Sequence, residues 1–235
     1  MMPIGDDNTG RTITPFVNYI LIAINVIVFV FAQQLGSNEA ILMSLSTVPQ
    51  EILTGSDIVG PNGLQATPEP VYITLLTSMF MHGSIAHIGG NMLYLWIFGD
   101  NLENVMGHFR YLMFYLICGV LASLAHVFMS SALGSGMLIP SLGASGAISG
   151  VLGGYLILFP KNRVRVIALA RVMHVPAIIS LGIWIALQVL EQIGALGGQN
   201  PDGGGGGVAY AAHIGGFLAG MILVKFFATK QPARV

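Results

Sequence analysis

The chain has 235 residues, of which only 8% are charged and 54% are hydrophobic, with 31 glycines besides. Nine Lys and Arg with ten Asp and Glu could not cover a soluble domain of this size, where charge runs at about 25%, and a disordered chain shows the opposite balance. The composition therefore describes a membrane protein that crosses the bilayer several times, and its single cysteine, Cys118, excludes a disulfide framework.

Stretches near the roughly 20 apolar residues that cross a bilayer fall at about 16–33, 86–102, 111–129, 142–159, 175–195 and 208–227. The expected fold is an all-α membrane protein, a six-transmembrane-helix bundle. The first stretch lacks the basic flank of a signal peptide beyond Arg11, and its apolar core is too long for one. Residues 35–81 then form a long connection between helices 1 and 2. Its apolar groups, Ile52, Leu53, Val59, Leu64 and Val71 among them, are broken by Gly60-Pro61 and Pro68-Glu69-Pro70. Connections that long are often functional, and the apolar content suggests a lean into the membrane interface.

The second span begins His82-Gly83-Ser84-Ile85-Ala86-His87-Ile88-Gly89-Gly90-Asn91. His87 and Asn91 are four apart and share a helix face; His82 lies off that face and reads as a capping or structural group. Cys118 and His126 in the third span read as packing or hydrogen-bonding groups. The fourth begins Ser141-Leu142-Gly143-Ala144-Ser145-Gly146. A run of five glycines at 203–207 precedes the sixth span, which contains Ala211-Ala212-His213-Ile214-Gly215-Gly216. The expected domain is one membrane unit, 1–235, with its core at about 70–224 and short tails at 1–15 and 228–235.

Charge fixes the expected orientation. With the amino terminus in the cytoplasm, Arg11, Arg110, Lys161, Arg163, Arg165, Arg171, Lys225, Lys230 and Arg234 all fall on one side. The opposite connections carry Glu39, Glu51, Asp57, Glu69, Glu191 and Asp202 and no basic residue. The positive-inside rule then puts both termini in the cytoplasm and the long 35–81 loop outside.

Polar side chains within spans are costly unless partnered, and here their depths agree. Ser145 is 15 residues before Pro160, His213 is 12 before Lys225 and His87 is 16 before Glu103, or about 22, 18 and 24 Å at 1.5 Å per residue. All three, with Asn91, fall in the outer half of the core, as one shared site requires. Gly146, Gly150 and Gly154 on span four, and Ala212, Gly216 and Gly220 on span six, form small-residue strips that let backbones meet closely. Packing alone is the ordinary use of such strips, and a serine in a membrane helix ordinarily bonds its own i−4 carbonyl.

A serine becomes a strong nucleophile when a base takes its proton, and His213 is the only base in span six. No carboxylate lies in the outer half of any span, so the set would be a dyad. His87, Asn91 and the Ser145 backbone N–H could donate to an oxyanion. The rival chemistries lack their residues: there is no His-Glu-x-x-His string and no pair of intramembrane aspartates. Nor is there the internal repeat common in transporters.

Gly143-Ala144-Ser145-Gly146 resembles the Gly-x-Ser-Gly signature of rhomboid intramembrane serine proteases. His82-x4-His87-x3-Asn91 resembles their second-helix motif, and Ala212-His213-x2-Gly216-x3-Gly220 their sixth-helix motif; Leu75 to Gly83 and Gly99-Asp100-x2-Glu103 are also similar to the family. The resemblance implies a serine endopeptidase that cleaves transmembrane segments of other proteins near their extracellular end. Ser145 would be the nucleophile, His213 the general base, and His87, Asn91 and the Ser145 N–H the oxyanion hole. Partners would be transmembrane substrates and the lipid bilayer, with no nucleic acid, no cofactor and no metal. A prokaryotic plasma membrane is the expected location. One departure is visible: many members carry Trp-Arg before the second helix, where Ile73-Thr74 stands here, with Tyr72 adjacent.

Overall fold

The computed structural model describes residues 2–168, 171–196 and 210–229. In chain order these form β1 (Met2–Gly5), α1 (Phe16–Ile27) with a π-helical turn Val28–Ala32, and the short helices α2 (Glu39–Ser44), α3 (Pro49–Thr54) and α4 (Thr74–Thr77). The long helices α5 (Ile85–Met106), α6 (His108–Leu133) and α7 (Ser145–Leu158) follow. The strands β2 (Arg163–Ala168) and β3 (Arg171–Pro176) precede α8 (Ala177–Leu196) and α9 (Tyr210–Phe227). The glycine run expected to be a flexible connection before the sixth span lies outside the described residues, as do Lys230 and Arg234.

Among the described residues, α6, α9 and Ala177–Gly194 of α8 are long and apolar enough to cross a membrane. A fourth candidate joins Val71–Phe80 to α5 across an 81° bend, and Phe16–Ala32 and α7 are shorter apolar helices. The 14 residues of α7 rise about 21 Å, less than a core about 30 Å thick. Every residue from Gly146 to Tyr155 is buried, so α7 is enclosed by protein and has little need of a lipid-facing apolar surface. The result is a mostly helical integral membrane protein.

It is not all-α, however. β1, β2 and β3 form a three-stranded antiparallel sheet in that order. The period-two alternation of Arg163-Val164-Arg165-Val166 carries it: the arginines are exposed while Val164 and Val166 are fully buried, as a half-buried strand requires. Reading these residues only as a cationic loop overlooked that alternation. β1 pairs with β2 (Met2 opposite Ile167), so the stretch 1–15, expected as a tail, is docked from its second residue onward.

Polar contacts anchor this end of the bundle. α1 starts at Pro15 with no side-chain cap of its own. The Glu103 carboxylate, from α5, accepts instead from the N–H groups of Val17 (3.0 Å) and Asn18 (2.7 Å), where a helix N-terminus favours negative charge. Glu103 also pairs with His108 Nδ1 at 2.5 Å, and Asp100 pairs with Arg11 at 2.6 Å. Asn18 donates to the Leu95 carbonyl and accepts from Tyr111 OH (2.8 Å). A side chain on Gly99 would strike both Asn18 and Tyr111. The Gly99-Asp100-x2-Glu103 motif is thus a clamp between α1, α5 and α6.

At the other end, residues 35–81 are structured rather than loose. Val48, Leu64 and Val71 are buried, while Val59, Tyr72 and Ile73 are exposed. Only part of the segment's apolar content is therefore free for the lean into the membrane interface that the sequence suggests. Thr74 is fully buried, its hydroxyl donating to the Val71 carbonyl (2.7 Å). Ile73-Thr74 thus forms the join between a 3-10 turn and α4.

Candidate active site

Ser145 opens α7, and the loop before it is held by backbone pairing. Thr47 and Ser141 exchange hydrogen bonds at 2.9 and 2.8 Å, and Gly143 N–H donates to the Ser78 carbonyl (2.8 Å). Gly143 adopts φ +115°, and a Cβ there would lie 2.8 Å from His87 Nε2 and 3.6 Å from Ser145 Oγ. Glycine is thus required on two counts: a left-handed backbone and a gap between the His87 ring and the Ser145 hydroxyl. The residue four before Ser145 lies outside the helix, so the usual i−4 back-bond is closed to it. Ser149 makes that bond instead, to the Ser145 carbonyl at 2.6 Å.

His213 Nε2 lies 2.8 Å from Ser145 Oγ. The small-residue strips bring the two together, with one change from expectation. A Cβ on Gly216 would overlap the Gly146 carbonyl, one on Gly220 the Gly150 carbonyl, and one on Gly153 the Phe217 carbonyl. Gly153 joins Gly146 and Gly150 in meeting the α9 backbone; Gly154 meets side chains instead, those of Leu102, Phe114 and, on α9, Val224. Gly146 and Gly150 also pack on Ala122 and Cys118 of α6. Only residues without side chains permit three helices to meet so closely.

His87 and Asn91 are brought to the same cavity. Gln33 grips His82, three residues before α5, at two points: its amide donates to the His82 carbonyl (2.9 Å) and its oxygen accepts the His82 N–H (3.0 Å). Ser84 then caps α5, its hydroxyl accepting the His87 N–H at 3.1 Å. The expected capping role of His82 therefore falls to Ser84. His82 is fully buried, its two ring nitrogens without a partner among the described residues, and lies edge-on to His87 with ring centroids 5.1 Å apart. His87 Nδ1 faces the Gly83 N–H at 3.5 Å, which leaves Nε2 to carry the proton. Asn91 Nδ2 is buried and has no partner among the described residues. Ser145 N–H, the first of its helix, has no intrahelical acceptor. A cavity of about 670 Å³ is lined by Ser145, His213, His87, Asn91, Gly119 and Ser123.

Two residues of this cluster went unnoticed in the sequence. Gln188 of α8 meets His213 Nδ1 through its Oε1 at 2.5 Å, and the Trp184 ring lies 5.9 Å from the imidazole. The available signal is an amide inside a span, one turn from a tryptophan. The usual third member is a carboxylate, and α8 supplies an amide in that place.

A hydroxyl bonded to an imidazole, with unused N–H donors beside it and space for a peptide, is the minimal equipment for acyl transfer. Fold and site together define a helical membrane protein with a serine hydroxyl and a histidine imidazole in hydrogen-bond contact inside its bundle. The Rhomboid domain family matches residues 69–230. The chain is similar to Rhomboid protein 1, mitochondrial, of Saccharomyces cerevisiae, 33% identical over 150 residues that make up 64% of this chain and 40% of that protein. It is similar to Rhomboid protease GluP of Bacillus subtilis, 34% identical over 150 residues, 63% of this chain and 25% of that protein. With the mouse Presenilin-associated rhomboid-like protein, mitochondrial, it is 33% identical over 152 residues, 65% of this chain and 37% of that protein. The chain belongs to the rhomboid family, and it spans well under half the length of these relatives.

Proposed function

We propose that the chain is an intramembrane serine endopeptidase that cuts transmembrane segments of other membrane proteins near their extracellular end. The observation that carries the reading is the 2.8 Å contact between Ser145 Oγ and His213 Nε2 beside donors with no partner. Family membership and a relative named a rhomboid protease support it.

The reaction runs as follows. Ser145 Oγ attacks the scissile carbonyl carbon while its proton passes to His213 Nε2. Negative charge grows on the carbonyl oxygen, toward which His87, Asn91 and the Ser145 N–H donate. The C–N bond breaks, the leaving amine takes the proton from His213, and water then hydrolyses the acyl-enzyme by the same route. A helix hides its carbonyls in its own hydrogen bonds, so substrates must unwind locally. Segments weakened by Gly, Ser or Pro, with a small residue at the cut, suit that demand.

The topology belongs to the same proposal: six spans, both termini cytoplasmic, residues 35–81 external and 1–235 acting as one domain. Its support is the clustering of charge. Arg163, Arg165 and Arg171 lie on the sheet that includes β1, Arg11 bonds Asp100 near the end of α5, and Thr229 N–H donates to the Val105 carbonyl. The site sits at the opposite ends of α5, α7 and α9. The relatives named mitochondrial do not favour a prokaryotic plasma membrane, and the reading goes no further than an integral membrane protein.

Labelling with a fluorophosphonate tests the nucleophile. The expected adduct maps to Ser145 and is abolished in His213→Ala; an adduct elsewhere, or none, contradicts the assignment.

A further inference from the structure

We propose that Gln188 is a positioning residue for His213, its side-chain oxygen accepting the Nδ1 proton and so reserving an unprotonated Nε2 for Ser145. The proposal rests on Ser145 and His213 being nucleophile and base.

A neutral imidazole carries one N–H, and the nitrogen that holds it decides what the ring can do. Nε2 stands 2.8 Å from Ser145 Oγ; to receive that proton it must offer a lone pair. The ring proton must then sit on Nδ1, where a buried donor without an acceptor is costly. Gln188 Oε1 is 2.5 Å from Nδ1, and no other hydrogen bond to that atom is present among the described residues. The opposite amide rotamer would set NH2 against N–H, donor facing donor, which fixes the orientation of the Gln188 side chain.

The setting is selective. Leu187, Val189 and Leu190 around Gln188 are exposed apolar groups on α8. A polar amide among them carries a burial cost unless partnered, and its partner is the base. Trp184, one turn earlier on the same helix face, lies 5.9 Å from the same imidazole. One face of α8 thus holds the ring at two points. An amide fixes the tautomer without adding the full negative charge that a carboxylate would. The device is therefore orientation rather than charge stabilisation.

The test compares wild type, Gln188→Leu, Gln188→Glu and Ser145→Ala on a single-span substrate, with nitrogen-15 histidine spectra of the first two. Gln188→Leu is expected to lower kcat about 10- to 100-fold with KM unchanged, and to shift His213 from the Nδ1–H form toward a mixture of tautomers. Gln188→Glu keeps an acceptor and should restore most of the rate. Gln188→Leu at the wild-type rate with an unchanged tautomer, while Ser145→Ala is inactive, sinks this inference and leaves the protease reading standing. Gln188→Glu as slow as Gln188→Leu also overturns the acceptor role. Wild-type protein that neither cleaves nor takes a fluorophosphonate overturns the protease reading and this inference with it.

Discussion

The carbonyl of Gly150 occupies the space that any side chain on Gly220 would need, so α7 and α9 touch backbone to backbone below Ser145 and His213. This contact sets the distance between hydroxyl and imidazole. Gly220→Ala must push the helices apart. Overpacking of this kind destabilises by about 1–3 kcal/mol, and a displacement near 1 Å at reacting groups can lower a rate about 100-fold. The expected variant remains folded and labels slowly with a fluorophosphonate. A wild-type labelling rate in Gly220→Ala would show that the glycine seam does not control the pair.

Asn91 lines the cavity with Ser145 and presents a buried amide NH2 that has no partner among the described residues. On the proposed mechanism that donor serves the oxyanion of the transition state. Asn91→Ala is expected to reduce kcat about 10²- to 10³-fold with little change in KM, because the interaction forms only as charge develops. A change confined to KM would assign Asn91 to ground-state binding instead.

Glu103 is fully buried and accepts from Val17, Asn18 and His108. Glu103→Ala removes the cap of α1 and leaves those N–H donors unsatisfied. Loss of about 2–4 kcal/mol is expected from a cap and charge-assisted bonds together. Thermal unfolding in detergent measures it, and a melting temperature equal to the wild type's would refute the clamp.

Asp6, just beyond β1, accepts from Tyr155 OH (2.6 Å) and Asn101 (2.8 Å). Burial pushes its pKa up to about 7 from 3.8, against the lowering effect of the Tyr155 bond. The sign follows from linkage: between those two values the docked carboxyl holds a proton that the undocked one has lost, so docking weakens as pH rises from about 4 to 7 and levels off above. Amide protection factors across residues 2–8, with the intrinsic rise in exchange of about tenfold per pH unit divided out, should therefore be higher at pH 5 than at pH 8. Asp6→Asn should flatten the difference, and a wild type with pH-independent docking contradicts it.

What the sequence made legible was whatever leaves a mark on spacing or depth. His87 and Asn91 four apart on one face, and Ser145 and His213 at matched depth, are properties of single helices. The structure brings all four to one cavity. The contacts of Gln33 with His82, Thr47 with Ser141 and Gln188 with His213 join residues far apart in the chain, through polar side chains that mark no periodicity. Gly153 falls outside the small-xxx-small strip, yet it meets the α9 backbone at Phe217, while Gly154 within the strip meets the Val224 side chain. The sheet was missed for a different reason: the arginines drew attention as charges, while the valines between them carried the strand.

The most direct test is proteolysis by the purified full chain of a defined single-span substrate reconstituted with it, with the fragments sequenced. The account predicts one cut near the substrate's extracellular membrane boundary, absent with Ser145→Ala and with His213→Ala. Cleavage by either variant at the wild-type rate, or a wild-type chain that leaves helix-weakened substrates whole, would contradict it.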